Sequence, residues 1–320
     1  MLIESLYCSC IEGEVPTDHY APEPGSKTEV CIAPPMPLPW LLAMISINKS
    51  DDIHSGNRMS ATRMQSCPRK IAIEDNIPAR RVNMKQFNSM TWGTAIHEFM
   101  QKHTPPGFYQ EIELPPKGSP PVMLFQGTEA EIAVRGRLDI LTPDTILLED
   151  YKCTSESSQK FRFNRRAADP EWRAQASIYK ILGKRSIADI DIKQAAIWSG
   201  AMTSARCPAP PWFKIPLAWM GEEEILMMKP HGAEFSVADN IIQFKHFLKM
   251  KAELDLTFRT RKHDSEDRLV IDTGPEYKKA LYDLIATMPL AGRGAWRGEM
   301  CKKYCGSART CNEMEGLVVL

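Results

Sequence analysis

An excess of either charge is missing from this chain: its 40 Lys and Arg are matched by 40 Asp and Glu. The total charge therefore points to no nucleic-acid or membrane partner, and only local patches can carry that information. Long apolar runs are missing too. None reaches the roughly 18 residues of a membrane-spanning helix, and the opening MLIESLYCSCIEGE has neither the basic start nor the apolar core of a secretory leader. The expectation is an intracellular, cytoplasmic protein with no membrane partner. Internal repeats are absent, which excludes solenoid architectures. In a reducing compartment the 9 cysteines are not expected to pair as disulfides. Their spacing then becomes the informative feature.

What is present is an ordinary globular balance, 43% hydrophobic and 25% charged, over a length sufficient for one large or two modest domains. Residues 1–56 are rich in proline (APEPG, APPMPLP) and read as a loosely ordered extension, with a short helix near PWLLAMI. Cys8, Cys10 and Cys31 lie there at spacings that match no metal site. From 57 to 320 the pattern is one folded domain. Ser60 caps an expected helix through SATRMQSCPRKIAIEDN, and a second helix over 90–103 sets Gly93, Ile96, His97 and Met100 on one stripe. Strands follow near 109–114, 122–127, 131–141 and 145–152, then a helix over 169–182, two strands in IKQAAIWSG and WFKIPLAW, and two C-terminal helices. Helices before and after a run of strands predict an α/β fold with a mixed central sheet.

The segments VRGRLDIL and TILLEDYK read as a hairpin joined by Thr142-Pro143-Asp144-Thr145, with proline at the favoured second turn position. A tight turn pairs Thr142 with Thr145 and Asp139 with Leu148. Strand alternation then puts Asp139, Leu148, Asp150 and Lys152 on one face. Asp139 and Asp150 become diagonal neighbours about 7–8 Å apart at Cα. At an effective dielectric near 20 their repulsion is about 2–3 kcal/mol. A divalent cation removes that cost, and hard oxygen ligands suit Mg²⁺ or Mn²⁺. Lys152 is placed to orient a water and to stabilise charge on a phosphate. An exposed hairpin with a surface salt bridge is the alternative.

The arrangement Asp139…Asp150-Tyr151-Lys152 resembles the D…(D/E)-x-K core of the PD-(D/E)XK nucleases. Leu138 stands where that motif has proline, and the second acid is Asp rather than the commoner Glu. Three further features are similar to the RecB-like branch: His97 within GTAIHEF, Gln175 and Tyr179 one helical turn apart in RAQASIY with Trp172 on the same stripe, and the cysteines. Cys301, Cys305 and Cys311 lie in CKKYCGSARTC, and Cys67 precedes the core in QSCPRK. One cysteine before and three after the core resembles the iron–sulfur staple of the AddB-type and CRISPR-associated RecB-like nucleases. The resemblance covers about residues 57–312.

It implies a restriction-endonuclease-like core, with Asp139, Asp150, His97 and the Tyr151 carbonyl binding Mg²⁺ or Mn²⁺. Lys152 would position the attacking water, and Gln175 and Tyr179 would support it. Four thiolates would hold a 4Fe-4S cluster; a zinc site of four thiolates, or uncoordinated core cysteines, are the alternatives. Cys153 and Cys207 are read as packing residues. The implied activity is a metal-dependent exonuclease acting on single-stranded DNA or DNA ends in recombination, repair, phage or CRISPR-related processing, with protein partners in such complexes. Two readings of other classes stay open: a non-catalytic DNA-binding or assembly subunit with a nuclease-like fold, and a zinc-stapled interaction protein. Basic residues in KFRFNRR (160–166), and Arg293, Arg297, Lys302 and Lys303, interleave with Phe161, Phe163, Trp172 and Trp296. Such patches suit a single-stranded backbone with stacked bases.

Overall fold

The structure is a computed structural model that describes residues 2–7, 14–15, 58–77, 79–144, 146–201, 207–263, 269–271, 273–290, 310–311 and 314. The chain divides into two compact units. One holds Met1–Ser50, Ser66–Phe87 and Gly232–Leu320; the other holds Asp51–Gln65 and Asn88–His231.

The second unit is built on a five-stranded mixed sheet. Its strands are β1 (Tyr109–Leu114), β2 (Gly136–Leu141), β3 (Leu147–Cys153), β4 (Gln194–Gly200) and β5 (Trp212–Pro216), in spatial order β5-β4-β3-β2-β1. Only the β3–β4 pair is parallel. A parallel pair needs a crossover long enough for helices. That crossover supplies α2 (Glu156–Arg165) and α3 (Pro170–Arg185), after α1 (Met84–Lys102) earlier in the chain. Pro170 opens α3 at a position where a missing N–H costs nothing, and Ser155 caps α2 by accepting from the Ser158 N–H at 3.3 Å. Leu138, Ile140, Leu148, Ile178, Leu182, Ile197 and Ile215 are buried in this unit. A small sheet, in the order 58–59, 132–134, 122–124, completes it.

In the other unit, the helices Pro68–Asn76, Val237–Thr257 and Pro275–Thr287 pack around Ala72, Ile73, Phe247, Tyr277, Leu281, Ile285 and Cys311. Arg69 is buried and donates to Ala286 O and Met288 O, each at 2.8 Å. It thereby satisfies carbonyls that the helix end leaves open. Leu2–Tyr7 pairs in parallel with Ala79–Asn83 and antiparallel with Glu14–Val15; the expected helix near PWLLAMI lies outside the described residues.

Several boundaries differ from the sequence reading. Ser60 does not open a long helix. A 3-10 turn spans Arg63–Gln65, and the α-helix starts at Pro68 with Cys67 as its N-cap. Proline disfavours helical backbone in the residue before it, so it sets the boundary. The 131–141 strand breaks at Arg135 into Ile132–Val134 and β2. No helix among the described residues is long and apolar enough to cross a membrane.

Candidate active site

The site starts from the β2–β3 hairpin. Its turn is wider than the sequence suggests: the Thr142 N–H donates to Leu147 O at 3.1 Å, so Thr142 pairs with Leu147 and not with Thr145. Asp144 causes this. Its Oδ1 accepts from the Thr142 hydroxyl and from the Ile146 N–H at 3.3 Å, a side-chain-closed turn of the kind Asp favours. The ladder then pairs Leu141 with Leu148 and Ile140 with Glu149. Continued by one pair, it sets Asp139 directly opposite Asp150 rather than diagonal to it. A slip of two residues leaves every side chain on its original face, whereas a slip of one would have reversed them all.

Leu148 and Asp150 are the buried positions of β3, at 1% and 4% exposure. Lys152 lies on the same face, with Nζ 2.6 Å from Asp150 Oδ2. That oxygen is buried, and the ammonium is its charged partner. Burial pulls the Lys152 ammonium toward a lower pKa, but Asp150 and Asp139 outweigh it and carry the value above the ordinary lysine range. Lys152 is therefore a cation and a donor near neutral pH, not a base. Asp139 moves the other way from an ordinary carboxyl. Burial first, then the charge of Asp150, raise its pKa well above the usual Asp value, although Lys152 opposes the shift.

His97 reaches the same place from α1. Its Nε2 lies 2.9 Å from Tyr151 O. A carbonyl can only accept, so Nε2 carries a hydrogen, and in the neutral imidazole Nδ1 is the ligand atom. Nδ1 faces Asp139 Oδ2 at 3.6 Å. At that distance the two atoms make no direct hydrogen bond, and both could serve one cation. The Tyr151 N–H donates to the same Asp139 oxygen at 3.2 Å. The Tyr151 carbonyl, expected as a metal ligand, is thus engaged by the imidazole on one lone pair.

Glu111 is a member that sequence reasoning missed. In the β1–β2 register Gln110 pairs with Ile140 and Ile112 with Leu138, which sets Glu111 opposite Asp139. Its backbone takes φ 49°, the left-handed region that a non-glycine residue rarely occupies within a strand. The ladder skips this pair, and the carboxylate turns toward His97 and Asp139. Arg137 Nε holds it at 2.5 Å, and Gln101, one turn after His97 on α1, donates to its other oxygen. Among the described residues, His97, Glu111 and Asp139 form the cluster whose candidate ligand atoms all lie within 4.8 Å of one another. One imidazole and hard carboxylate oxygens are a donor set that fits Mn²⁺ or Mg²⁺. Asp150 stands outside that triad, held by Lys152.

Helix α3 covers the Asp150 face. Trp172, Gln175, Ala176 and Tyr179 line a cleft with Leu148, Asp150 and Ile197. Gln175 Nε2 donates to the Tyr179 hydroxyl at 3.1 Å, which leaves Tyr179 its own hydrogen to give. Burial and the nearby Asp150 push the Tyr179 pKa up to about 12, so that hydrogen stays in place. Tyr179 fits only because residue 136 is glycine: a Cβ there would lie 2.5 Å from its ring. On the opposite sheet face Glu149 pairs with Lys214 at 2.5 Å.

Cys67 and Cys311 belong to the other unit, where Arg69 Nη1 lies 3.6 Å from Cys311 Sγ. Cys301 and Cys305 lie outside the described residues, as do Arg293, Trp296, Arg297, Lys302 and Lys303.

No known protein family and no curated protein matches the chain. Two solved structures are similar to parts of it. SSO0001 is similar over 66% of this chain and 84% of its own, at 10% identity and a TM-score of 0.37. LHK-Exo in complex with dAMP is similar over 62% of this chain and 90% of its own, at 11% identity and a TM-score of 0.33. At these scores neither likeness identifies a family, and the chemistry rests on the residues of this chain.

Proposed function

We propose that this chain is a divalent-metal-dependent nuclease that hydrolyses phosphodiester bonds of DNA, acting as an exonuclease on single strands or ends. The observation that carries the reading is the buried face of the hairpin. Asp139 and Asp150 stand opposite each other there, Lys152 is held beside Asp150, and His97 and Glu111 converge on Asp139. Three carboxyl groups and one imidazole converge on this small region, a donor set suited to a hard cation that displaces the Asp139 proton. His97 Nδ1, Glu111 and Asp139 would hold it, with Asp150 as a neighbouring ligand. Bound there, Mg²⁺ or Mn²⁺ would supply positive charge at the scissile phosphate and make the attacking water more acidic. Lys152, kept protonated by its two carboxylates, would hydrogen-bond that water or a non-bridging phosphate oxygen and favour the more charged transition state. Tyr179, oriented by Gln175 and packed on Gly136, would hold the buried face beside Asp150 in shape.

A separate part of the proposal is that Cys67, Cys301, Cys305 and Cys311 hold a 4Fe-4S cluster. The contact of Arg69 with Cys311 supports it, because it joins chain segments 242 residues apart at one of the four thiols, two residues after Cys67 in sequence. The cluster's contribution would be to tie these segments together.

The test is cleavage of 5′- and 3′-labelled single strands with and without Mg²⁺ or Mn²⁺. The expected result is metal-dependent shortening from one end. In the Lys152→Ala variant turnover should be lost while strand binding stays within about twofold of the parent. Wild-type protein that binds metal but leaves every strand intact would overturn the proposal.

A further inference from the structure

Helix α2 presents a face that the hydrolytic centre leaves unexplained. Ser157, Lys160, Phe161, Asn164 and Arg165 share one side of the helix through i,i+3 and i,i+4 relations, and all are exposed. Phe161 is 56% exposed in the middle of this polar stripe, with the Arg165 guanidinium 5.2 Å from its ring centre. At the helix end Arg166 lies 4.0 Å over Phe163, whose ring packs edge-on against Phe213. Several neighbouring cations are neutralised. Arg162, Arg173, Lys184 and Arg185 are each held by a carboxylate: Asp169, Glu224, Asp189 and Glu222. Lys160, Arg165 and Arg166 have no carboxylate partner among the described residues.

The face is also fixed in place. Gln159, fully buried on the inner side of α2, donates to Ser199 O at 2.9 Å, Pro210 O at 3.2 Å and Pro211 O at 3.1 Å, and accepts from the Ser199 hydroxyl at 2.7 Å. These bonds seat α2 at the ends of β3 and β4, next to Lys152. A second link runs to the cleft itself: Arg162 lies 4.3 Å over Trp172, which lines the cleft with Asp150.

We propose that the exposed face of α2 is a platform for single-stranded DNA, with one base stacked on Phe161 and the adjoining phosphates held by Lys160, Arg165 and Arg166. The inference rests on the nuclease reading of the Asp150 centre and gives that centre a route for its strand. The chemistry fits single strands in particular: an exposed aromatic ring among unpaired cations stacks an unpaired base and neutralises its backbone, while a duplex keeps its base faces covered.

The experiment uses the full chain without divalent metal, so that nothing is cut, and an oligonucleotide of about 20 bases carrying 2-aminopurine as the probe. Stacking on Phe161 should quench the probe. Phe161→Ala should abolish the quench and weaken binding about tenfold or more, and Phe161→Trp should restore both. Arg165→Gln with Arg166→Gln should flatten the dependence of log affinity on log salt by about 0.7 for each phosphate no longer neutralised. Unchanged quench and affinity in Phe161→Ala, or equal competition by blunt duplex, would overturn the platform. Its failure is separable from failure of the nuclease reading. Metal-dependent cleavage by a wild type whose binding ignores Phe161 removes the platform alone. Phe161-dependent binding by a wild type that never cuts removes the nuclease alone.

Discussion

Replacing Asp150 by Asn tests the charge arrangement directly. Side chains opposite each other on neighbouring strands have Cβ atoms about 4.5–5.5 Å apart. Two carboxylates about 5 Å apart at an effective dielectric near 20 repel by about 3 kcal/mol. Together with burial, that repulsion holds the Asp139 pKa above its ordinary value. The folded, metal-free protein therefore keeps a proton that the unfolded chain releases. Its stability is full below the ordinary Asp pKa of about 3.9 and declines as pH rises through the raised Asp139 value, by at most about 1.4 kcal/mol per pH unit. In Asp150→Asn the repulsion is gone, Asp139 ionises more readily, and the decline becomes shallower. Asp139 then also takes over the neutralisation of Lys152. Loss of the 2.6 Å ion pair should thus cost only about 1–2 kcal/mol, less than the roughly 3–5 kcal/mol of a buried charge left alone. Denaturant midpoints measured in chelator between pH 4 and 9 read both quantities, and a cleavage assay with Mn²⁺ reads the third consequence, loss of turnover. A pH slope identical to that of the wild type would show that Asp150 does not act on Asp139. Retained metal-dependent cleavage would remove Asp150 from the catalytic centre.

Three further outcomes are expected. Gly136→Ala places a methyl 2.5 Å from the Tyr179 ring; overpacking of this kind should cost about 1–3 kcal/mol in denaturation and reduce turnover without weakening metal binding. Glu111→Gly should be more stable than Glu111→Ala by about 1 kcal/mol, because glycine accepts the φ of 49° without strain, while calorimetry with Mn²⁺ should show weakened binding in both. Cys67→Ala and Cys311→Ala should each lose iron, sulfide and visible absorbance together, and iron analysis that separates the two variants would refute a shared cluster.

The parts of the site that are legible in the sequence are those whose signal is local. Alternation along TILLEDYK puts Leu148, Asp150 and Lys152 on one face, and the structure has them there. The helix carrying Gln175 and Tyr179 is visible in its own periodicity. The register of the hairpin is not legible, because one Asp144 side chain widens the turn and moves Asp139 by two positions. Glu111 is out of reach for another reason. Its place depends on β1 pairing with a strand 22 or more residues away, and on a backbone angle that no propensity favours. The signal that could have found it is the pairing of YQEIEL with GRLDIL, which sets Glu111 against Asp139. Helix α2 escapes because only Gln159 on it is buried, so it has no apolar stripe to read. The break at Pro68, by contrast, is written in the sequence, but the longer helical pattern around it masks it.

The imidazole of His97 is oriented by a main-chain carbonyl, that of Tyr151. Main chain is shared by all twenty residue types, so this orientation is invisible to substitution at position 151. A saturation library should accept Phe, Leu and Val there with the imidazole still held, while position 97 tolerates nothing. Strand β3 thus fixes this histidine with an element that point mutation cannot delete, and position 151 can drift in sequence without the site losing its geometry.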